Sequence, residues 1–291
     1  MEPFGFLVVD KPQGMTSHDV VAKVRRGIGI KRIGHAGTLD PMATGVLVLC
    51  IGTATRLSEY VMDSEKIYTA TVRLGIETDT YDADGQVIST ADIRHLAAND
   101  IAHALANFQG DVEQIPPMYS AIKQGGKKLY ELARQGKEVE RASRRVHLQT
   151  ELLELDLPFL KIKVTCSAGT YIRSIAHDLG ALLGVGGHLT ALRRDASGRL
   201  NNPIQWDALI AAMADGTWRR YLLDERVALF RIPALHLDHD QTQDILQGRS
   251  IPRAESNPDD KLSRAYSSTG QFIAILSAVD ERWRPVKVFL P

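Results

Sequence analysis

Residues 34–45 read Gly34-His35-Ala36-Gly37-Thr38-Leu39-Asp40-Pro41-Met42-Ala43-Thr44-Gly45, and the flanking elements take their roles from this segment. It joins a basic, helix-like stretch to an apolar run at 46–51 that has the composition of a buried strand. Its three glycines permit backbone angles and close approaches that a side chain would block, and its proline favours an extended Asp40. The segment therefore predicts a rigid loop that holds one carboxylate at the edge of a sheet.

Asp40 in that loop has two interpretations. Most Asp-Pro pairs in loops form turns, in which the carboxylate accepts hydrogen bonds from nearby backbone amides. The alternative is a reactive carboxylate, whose role depends on the groups that the fold brings to it. A phosphate-binding P-loop is excluded, because no Gly-Lys-Ser or Gly-Lys-Thr follows the glycines.

The composition is that of a globular chain without a global charge. Of the 291 residues, 44% are hydrophobic and 24% are charged, and the formal net charge is zero. This length favours one large domain with a smaller one. Zero net charge excludes attraction of the whole chain to a polyanion, so any surface for nucleic acid must be local.

Cysteine, histidine and hydropathy patterns limit the cofactors and the compartment. Cys50 and Cys166 lie in apolar, strand-like runs, so buried free thiols are expected. No Cys-x-x-Cys occurs and the nine histidines are scattered, so no metal site is expected. The chain starts with a strand-like run rather than a signal peptide, and no apolar stretch is long enough to cross a membrane. These features predict a cytoplasmic protein.

Hydrophobic periodicity predicts both strands and helices. Strict alternation over residues 66–74 indicates a half-buried strand with Tyr68 on its buried face. Ser17 is expected to cap a helix that follows the first strand. A second helix is predicted over 171–183, after a glycine turn, with Arg173 in its first turn.

The last part of the chain differs from the rest in its pattern of apolar residues and turns. From about residue 231, short apolar runs alternate with glycine and proline turns, which predicts a small β-rich module. A module of about sixty residues is marginally stable alone, so it is expected to pack on the larger domain. The expected domains are residues 1–230 and 231–291.

A basic arm is predicted at residues 116–145. Between Met118 and Val146 there are eight Lys or Arg residues and three Glu residues, a local excess in a neutral chain. One interpretation is an exposed hairpin whose charges are only solvated. The other is a mobile arm that binds nucleic-acid phosphates. The candidate phosphate contacts are Lys123, Lys127, Lys128, Arg144 and Arg145.

Three separated residues could converge on one site: Asp40, Tyr68 and Arg173. An arginine beside a carboxylate lowers its pKa and keeps it ionised, and an ionised carboxylate can act as a nucleophile or a base. An aromatic ring nearby can stack on a nucleobase. The simpler alternatives are a core tyrosine with a satisfied hydroxyl and an arginine on a helix surface.

Four motifs, in this order, resemble the signatures of the TruB-type tRNA pseudouridine synthases. They are Val9-Asp-Lys-Pro-Gln-Gly-Met-Thr-Ser17, the segment 34–45, Lys66-Ile-Tyr68 and Gly169-Thr-Tyr-Ile-Arg-Ser174. Weaker similarity covers Pro116-Pro-Met-Tyr-Ser-Ala-Ile-Lys123, the strand at 189–194 and a C-terminal module similar to a PUA-like RNA-binding barrel.

This resemblance implies a fold, an activity and a set of site residues. The fold is α+β, with a central mixed or antiparallel sheet flanked by helices and a small C-terminal PUA-like β-barrel. The activity is isomerisation of the uridine at position 55, in the T-arm of tRNA, by base flipping, without cofactor or metal, in a monomer that needs no protein partner. The implied catalytic residues are Asp40, Tyr68 and Arg173; the implied substrate-binding residues are His35, Tyr68, Tyr171, Leu192 and Asp82; Lys11 is structural or faces phosphate.

Two other functions remain open from the residues. A non-catalytic RNA-binding or RNA-remodelling protein could use the same scaffold, although the presence of all three catalytic candidates argues against it. A nucleoside or glycoside hydrolase usually needs a second carboxylate as general acid or base. The glycine-rich loop offers only one, and the nearest acids, at 77–84, are typical of turns.

Overall fold

The structure is a computed structural model of the 291-residue chain. It describes residues 3–120, 122–133, 135–137, 139–253 and 260–289, without the side chain of Lys128.

Strands form the larger share of the regular secondary structure in the described chain. In chain order they are β1 (Gly5–Lys11), β2 (Ile33–Ala36), β3 (Thr44–Ile51), β4 (Lys66–Leu74), β5 (Ile76–Thr78), β6 (Val87–Thr90), β7 (Gly110–Gln114), β8 (Lys123–Gln124), β9 (Lys127–Lys128), β10 (Arg144–Asp156), β11 (Phe159–Cys166), β12 (Gly187–Ser197), β13 (Ala234–His236), β14 (Ile251–Pro252), β15 (Leu262–Tyr266), β16 (Phe272–Val279) and β17 (Arg282–Val288).

The helices lie between these strands. They are α1 (Ser17–Ile28), α2 (Ser58–Met62), α3 (Ala98–Leu105), α4 (Leu129–Ala133), α5 (Ile172–Leu182), α6 (Trp206–Ala214), α7 (Glu225–Ala228) and α8 (His239–Leu246), with 3-10 turns at Gly52–Leu57 and Thr217–Tyr221.

The large sheet is mixed and has β4 at its centre. Its order is β1-β3-β12-β4-β11-β10-β7, with β2 paired to β3. All neighbours are antiparallel except β3 and β12, which run parallel at Thr44 and Gly45. Gly45 has φ +94°, and a Cβ there would lie 2.2 Å from the carbonyl oxygen of Arg194. Only glycine therefore allows the glycine-rich loop to join the sheet beside β12.

Alternation along the strands sets which face is covered. In β4 the side chains of Tyr68, Ala70, Val72 and Leu74 are buried in the main core, which confirms the predicted strand and its buried face. The helices α1, α3, α5 and α6 supply residues to the same core. The α+β fold class is therefore confirmed, with β4 in the middle of the seven-strand row of an eight-stranded sheet.

The C-terminal sheet, β13-β15-β16-β17-β14, packs on the back of the large sheet. Its Ile275 and Phe289 share a core with Phe6 and Val48 of β1 and β3. Lys287 Nζ also lies 2.7 Å from a Glu59 carboxylate oxygen. This packing confirms the prediction that the β-rich module rests on the larger part of the chain. Cys50 and Cys166 are buried free thiols, as expected.

The cap of α1 is Thr16, not Ser17 as the sequence pattern suggested. The Thr16 hydroxyl accepts a hydrogen bond from the Asp19 amide, and the Asp19 carboxylate accepts one from the Thr16 amide, which together form a capping box. Ser17 is buried, and its hydroxyl bonds instead to the glycine-rich loop. The prediction was one residue off because a tertiary contact claims the neighbouring hydroxyl.

Candidate active site

The first sequence motif holds the glycine-rich loop on both sides of Asp40. Before it, the Leu39 amide donates to the Ser17 hydroxyl at 2.8 Å, and that hydroxyl lies 3.1 Å from the Leu39 carbonyl. After it, the Pro41 carbonyl accepts from the Gly14 amide at 2.8 Å and from Lys11 Nζ at 3.2 Å. The loop is therefore pinned one residue away from the carboxylate in each direction.

Lys11 has a structural role, which is one of the two roles expected for it; the other was to face phosphate. Its side chain is fully buried, and Nζ also donates to the carbonyls of Pro12 and Met15. Burial lowers the pKa of Lys11 to about 8, although the negative charge of Asp40 acts in the opposite direction. Lys11 therefore brings a positive charge near the loop without presenting its ammonium group at the surface.

Arg194 on β12 holds both ends of the loop. Its Nε donates to the Val46 carbonyl at 2.6 Å, and its Nη2 donates to the Gly37 carbonyl at 3.1 Å. It lies opposite Tyr68 in the register of β12 and β4, and its charge acts on the Tyr68 phenol. Only 1% of Arg194 is exposed, so one buried cation links the loop of Asp40 to the ring of Tyr68.

Asp40 and Arg173 form an ion pair with two contacts. Arg173 Nε lies 3.0 Å from one Asp40 carboxylate oxygen, and Nη2 donates to the other at 3.3 Å. The Arg173 side chain is only 7% exposed, whereas that of Asp40 is 35% exposed. The guanidinium is therefore enclosed by protein while part of the carboxylate faces outward. This pairing is the one expected from the sequence, across 133 positions.

Asp82 is a second, buried carboxylate on Arg173. It is 5% exposed, and one oxygen lies 3.4 Å from Arg173 Nη1. Its other oxygen accepts from the Thr80 hydroxyl at 2.5 Å and from the Asp84 amide at 3.1 Å. Both of its oxygens therefore face groups of the protein, which favours a role in holding Arg173; the expected contact with substrate stays a prediction.

Backbone carbonyls complete the surroundings of Arg173. Nη1 donates to the Thr80 carbonyl at 3.3 Å and Nη2 to the Tyr119 carbonyl at 2.9 Å. A planar guanidinium held by two carboxylates and two carbonyls has little freedom to rotate. The orientation of Arg173 is therefore set by three separate segments: the glycine-rich loop, the acidic turn at 77–84 and the first residues of the arm, which begins at 116.

Burial dominates the protonation of the two central groups. Burial raises the pKa of the Asp40 carboxyl above its usual 3.8, Asp82 and Asp84 act in the same direction, and Arg173 and Lys11 act against it. The sequence predicted the lowering by Arg173 but not the larger effect of burial. Burial also raises the pKa of the Tyr68 phenol, so this hydroxyl keeps its proton.

The three expected pocket residues, Leu192, His35 and Tyr171, differ in their burial. Leu192 is 8% exposed and belongs to the same core as Tyr68. The ring of His35 meets that of His18 edge-on at 5.1 Å, and its Nδ1 is buried with no hydrogen-bond partner in the described part of the chain. Burial, together with the charges of His18 and Arg194, lowers the pKa of His35 to about 4, so the ring is neutral at physiological pH. Tyr171 is half-buried immediately before α5.

Sequence comparison gives the family of this chain. Residues 25–172 match the model described as "TruB family pseudouridylate synthase (N terminal domain)". Residues 173–229 match "tRNA pseudouridylate synthase B C-terminal domain", and residues 232–290 match "tRNA Pseudouridine synthase II, C terminal". The chain belongs to the TruB family of pseudouridylate synthases. It is therefore an enzyme, an isomerase of the pseudouridine synthase class.

Two relatives of this TruB-family chain are named tRNA pseudouridine synthase B. It is 41% identical to tRNA pseudouridine synthase B of Clostridium kluyveri over 98% of this chain and 99% of the relative. It is 42% identical to tRNA pseudouridine synthase B of Dehalococcoides mccartyi, over 98% and 96%. A chain from an H/ACA ribonucleoprotein bound to a substrate RNA containing 2'-deoxyuridine has the same fold, with a TM-score of 0.76, 24% identity, and 99% and 86% coverage. The expected pseudouridine synthase fold is thereby confirmed, with a C-terminal sheet that curls into a half-barrel, as in a PUA-like module.

The basic arm of this TruB-family enzyme is only partly as expected. Lys123 and Lys127 are exposed on the short hairpin of β8 and β9, whereas the side chain of Lys128 lies outside the described atoms. Arg145 is exposed but bonds to the Asp111 carboxylate at 2.6 Å. The hairpin is therefore present, with two exposed cations described at its tip.

Arg144 lies beside Tyr171 and Gly169, near the start of α5. Its guanidinium is 5.7 Å from the centre of the Tyr171 ring, and its Nε is buried with no hydrogen-bond partner among the described residues. A Cβ on Gly169 would lie 3.4 Å from its Nη1. The expected phosphate contact thus lies beside a candidate pocket residue.

Arg194 is the main site residue to which the sequence assigned no role. The signal was present, since Arg193 and Arg194 end a motif that resembles the family. Neighbouring arginines alternate faces of a strand, so the pattern alone could not show which one is buried. The structure places Arg194 in the site and pairs Arg193 with Asp10 at 2.8 Å on the other face.

Two further features of the described residues concern ligands and membranes. Their His, Cys, Asp and Glu side chains form no group of three or more arranged to hold a metal ion. Within the same ranges, none of the helices combines the length and apolar character needed to span a membrane.

Proposed function

We propose that this chain converts the uridine at position 55, in the T-arm of tRNA, to pseudouridine, without a cofactor, with Asp40 as the catalytic carboxylate. The observation that supports this proposal is the Asp40–Arg173 ion pair beside the ring of Tyr68 in a TruB-family fold. Relatives over nearly the full length are named tRNA pseudouridine synthase B. Asp40 is the part-exposed carboxylate of this group, so it is the one that substrate can reach.

The proposed reaction moves one base without changing the composition of the RNA. The bond from ribose C1′ to base N1 breaks and a bond from C1′ to C5 forms, while C5 loses a proton and N1 gains one. The target base must first leave its stack, at a cost of roughly a few kcal/mol. Asp40 acts in its ionised form, whether it attacks C1′, attacks base C6 or removes a proton, and these three routes stay open.

Each neighbouring group has a distinct part in this proposal. Arg173 orients the Asp40 carboxylate and favours its ionised form. The neutral phenol of Tyr68 offers a flat, apolar surface on which the flipped base can stack while its bonds change. His35, Leu192 and Tyr171 line the position of the nucleotide, and the buried Leu192 limits access of water to the reacting atoms.

A chemical label specific for pseudouridine, mapped along a tRNA transcript after incubation, tests the proposal. The expected result is one labelled position, in the T-arm, with no change in the mass of the RNA. Binding without label would favour the non-catalytic RNA-binding protein. Release of free uracil would favour a hydrolase, for which Asp82 is a second carboxylate close to Asp40, although it is buried.

The pH dependence of this enzyme should reflect the burial of Asp40. Because the pKa of Asp40 is raised, a proton binds to it at a higher pH than to an exposed Asp, and the protonated form is inactive. We therefore expect kcat/KM to fall as the pH is lowered through a midpoint above 3.8. Single-turnover rates over a pH series measure this midpoint.

Asp84→Asn tests whether Asp40 is the group whose protonation lowers kcat/KM at low pH. The Asp84 charge raises the pKa of Asp40, so its removal should move the acid midpoint to lower pH. The side chain of Asp84 is not needed for its backbone hydrogen bond to Asp82. A midpoint that stays in place or moves upward would exclude Asp40 as the group that titrates.

The arm is proposed to bind phosphates through its exposed lysines. Neutralising Lys123 and Lys127 together should weaken RNA binding and flatten its dependence on salt, by roughly 0.7 to 0.9 in the slope for each phosphate that is no longer bound. Arg145 should contribute less, because Asp111 already neutralises it. Binding constants measured from low to high salt give the slope.

The double variant Lys161→Gln/Lys163→Gln is the matched control for the arm. Both lysines are exposed on β11, so the variant removes the same charge from a different surface. Equal slopes for the two double variants would show that only net charge matters and that the arm is a solvated hairpin.

The C-terminal part is proposed to be a separate RNA-binding module. This proposal divides the chain into a catalytic domain, 1–230, and a module, 231–291, and it is supported by the separate five-stranded sheet and by the family match at 232–290. We also propose that the enzyme acts as a monomer, without a protein partner, in the cytoplasm.

A further inference from the structure

We propose that Gln114 is a positioning residue for this reaction, because its side-chain amide fixes the start of helix α5 and thereby the place of Arg173 beside Asp40. The inference rests on the proposed function, since it concerns the rate of the same isomerisation. Gln114 is the last residue of β7, at the edge of the large sheet, and it is 2% exposed.

The amide of Gln114 holds both backbone groups of Tyr171. Its Oε1 accepts a hydrogen bond from the Tyr171 amide at 2.7 Å, and its Nε2 donates to the Tyr171 carbonyl at 2.9 Å. A side-chain amide that bonds in both directions to one residue restricts that residue in position and in rotation. Tyr171 is thereby fixed to β7.

Helix α5 needs such an outside contact because it lacks a cap of its own. Tyr171 occupies the N-cap position, and no side chain there accepts from the first helical amides. Most helices begin with Ser, Thr, Asp or Asn at this position, which fixes the direction of the first turn. In α5, Gln114 instead fixes the N-cap residue itself, through the amide and the carbonyl of Tyr171.

Two more hydrogen bonds join the same pair of segments. The Ser174 hydroxyl donates to the Ile115 carbonyl at 2.9 Å, and Arg173 Nη2 donates to the Tyr119 carbonyl at 2.9 Å. Residues 114, 115 and 119 therefore each hydrogen-bond to the start of the helix at 171–174. The guanidinium of Arg173, two residues after Tyr171, receives its position from this alignment.

The consequence for catalysis is electrostatic. Arg173 Nε lies 3.0 Å from the Asp40 carboxylate, where it opposes the effect of burial on that group. A shift of the helix start would lengthen this distance, and an ion pair weakens with distance. Removal of the Gln114 hydrogen bonds should therefore slow the chemical step and make Asp40 easier to protonate, while the exposed Lys123 and Lys127 of the arm keep their charges.

The test is Gln114→Met, which keeps the volume of the side chain and removes both hydrogen bonds. We expect kcat to fall about tenfold, as for other small misplacements of a catalytic group. KM for tRNA should stay within a factor of two, roughly, because the arm cations remain. The acid midpoint of the single-turnover rate should move to higher pH, because a weakened ion pair favours the protonated carboxyl.

Gln109→Met is the control for losing an amide that bonds in both directions, although Gln109 is exposed and Gln114 is buried. Gln109 holds Thr150 of β10 in the same manner, with Nε2 donating to the Thr150 carbonyl at 2.7 Å and Oε1 accepting from the Thr150 amide at 3.3 Å. It precedes the opposite end of β7, and within the described ranges its side-chain hydrogen bonds run to Thr150 rather than to the site residues. Its replacement should lower thermal stability and leave both kcat and the acid midpoint unchanged.

Ser174→Ala is a second, milder variant in case Gln114→Met does not fold. It removes the bond to the Ile115 carbonyl and should shift the acid midpoint in the same direction. Variants that match the Gln109→Met control in kcat and midpoint would overturn the positioning role. Absence of pseudouridine with the wild-type enzyme would instead contradict the proposed function, so the two failures are distinguishable.

Discussion

Asp40→Asn should abolish pseudouridine formation while tRNA binding is largely retained. Asparagine has nearly the same shape, so the loop, which is held by Ser17, Lys11 and Gly14 through the neighbouring residues, should keep its position. An amide is neither a nucleophile nor a base at neutral pH. Removal of a nucleophile of this kind lowers rates by on the order of 10⁴-fold or more. Single-turnover labelling and equilibrium binding measure the two properties.

Asp195→Asn is a matched control for this variant. Asp195 is also paired with an arginine, at 3.5 Å from Arg193, and its side chain is 35% exposed, as is that of Asp40. It bonds to Thr69, on the face of β4 opposite Tyr68. The activity of the Asp195→Asn variant should remain near that of the wild type. Near-normal turnover by Asp40→Asn would show that another group carries out the reaction.

Arg173→Met should be the second most damaging change, and it should act on rate and on stability. Without the guanidinium, Asp40 loses the cation that opposes protonation, and Asp82 is left as a buried carboxylate without its partner. We expect kcat to fall by about 10³-fold, in the range typical when one electrostatic interaction is removed from an active site. We expect the free energy of unfolding to fall by about 3 kcal/mol, because removing one partner of a buried ion pair leaves the other charge uncompensated.

The double variant Arg173→Met/Asp82→Asn separates these two effects. Removing the Asp82 charge relieves the unpaired carboxylate, so urea unfolding should recover part of the lost stability. Activity should not recover, because Asp40 still lacks its cation. Recovery of activity together with stability would mean that Arg173 only supports the fold and has no part in the reaction.

The elements with strong local patterns were predictable from the sequence. The alternation in β4 placed Tyr68 on the buried face, and the turn followed by an amphipathic stretch placed Arg173 in the first turn of α5. Both depend on periodicities of a few residues, which a strand or helix imposes on its own segment. The cap of α1 was assigned to Ser17 instead of Thr16, because both hydroxyls satisfy the local rule and only the loop contact separates them.

The sequence by itself determined the loop with its single carboxylate and the alternation of β4, because these depend on short-range backbone preferences and on burial with a fixed period. The order of its motifs carried the family resemblance, and that resemblance implied the α+β class. The tertiary structure alone decided that Asp82 shares Arg173, that Arg194 rather than Arg193 joins the loop to Tyr68, and that burial raises the pKa of Asp40. The physical reason is that such pairings join residues far apart in the chain. Their distances and dielectric surroundings exist only once the sheet and helices have packed.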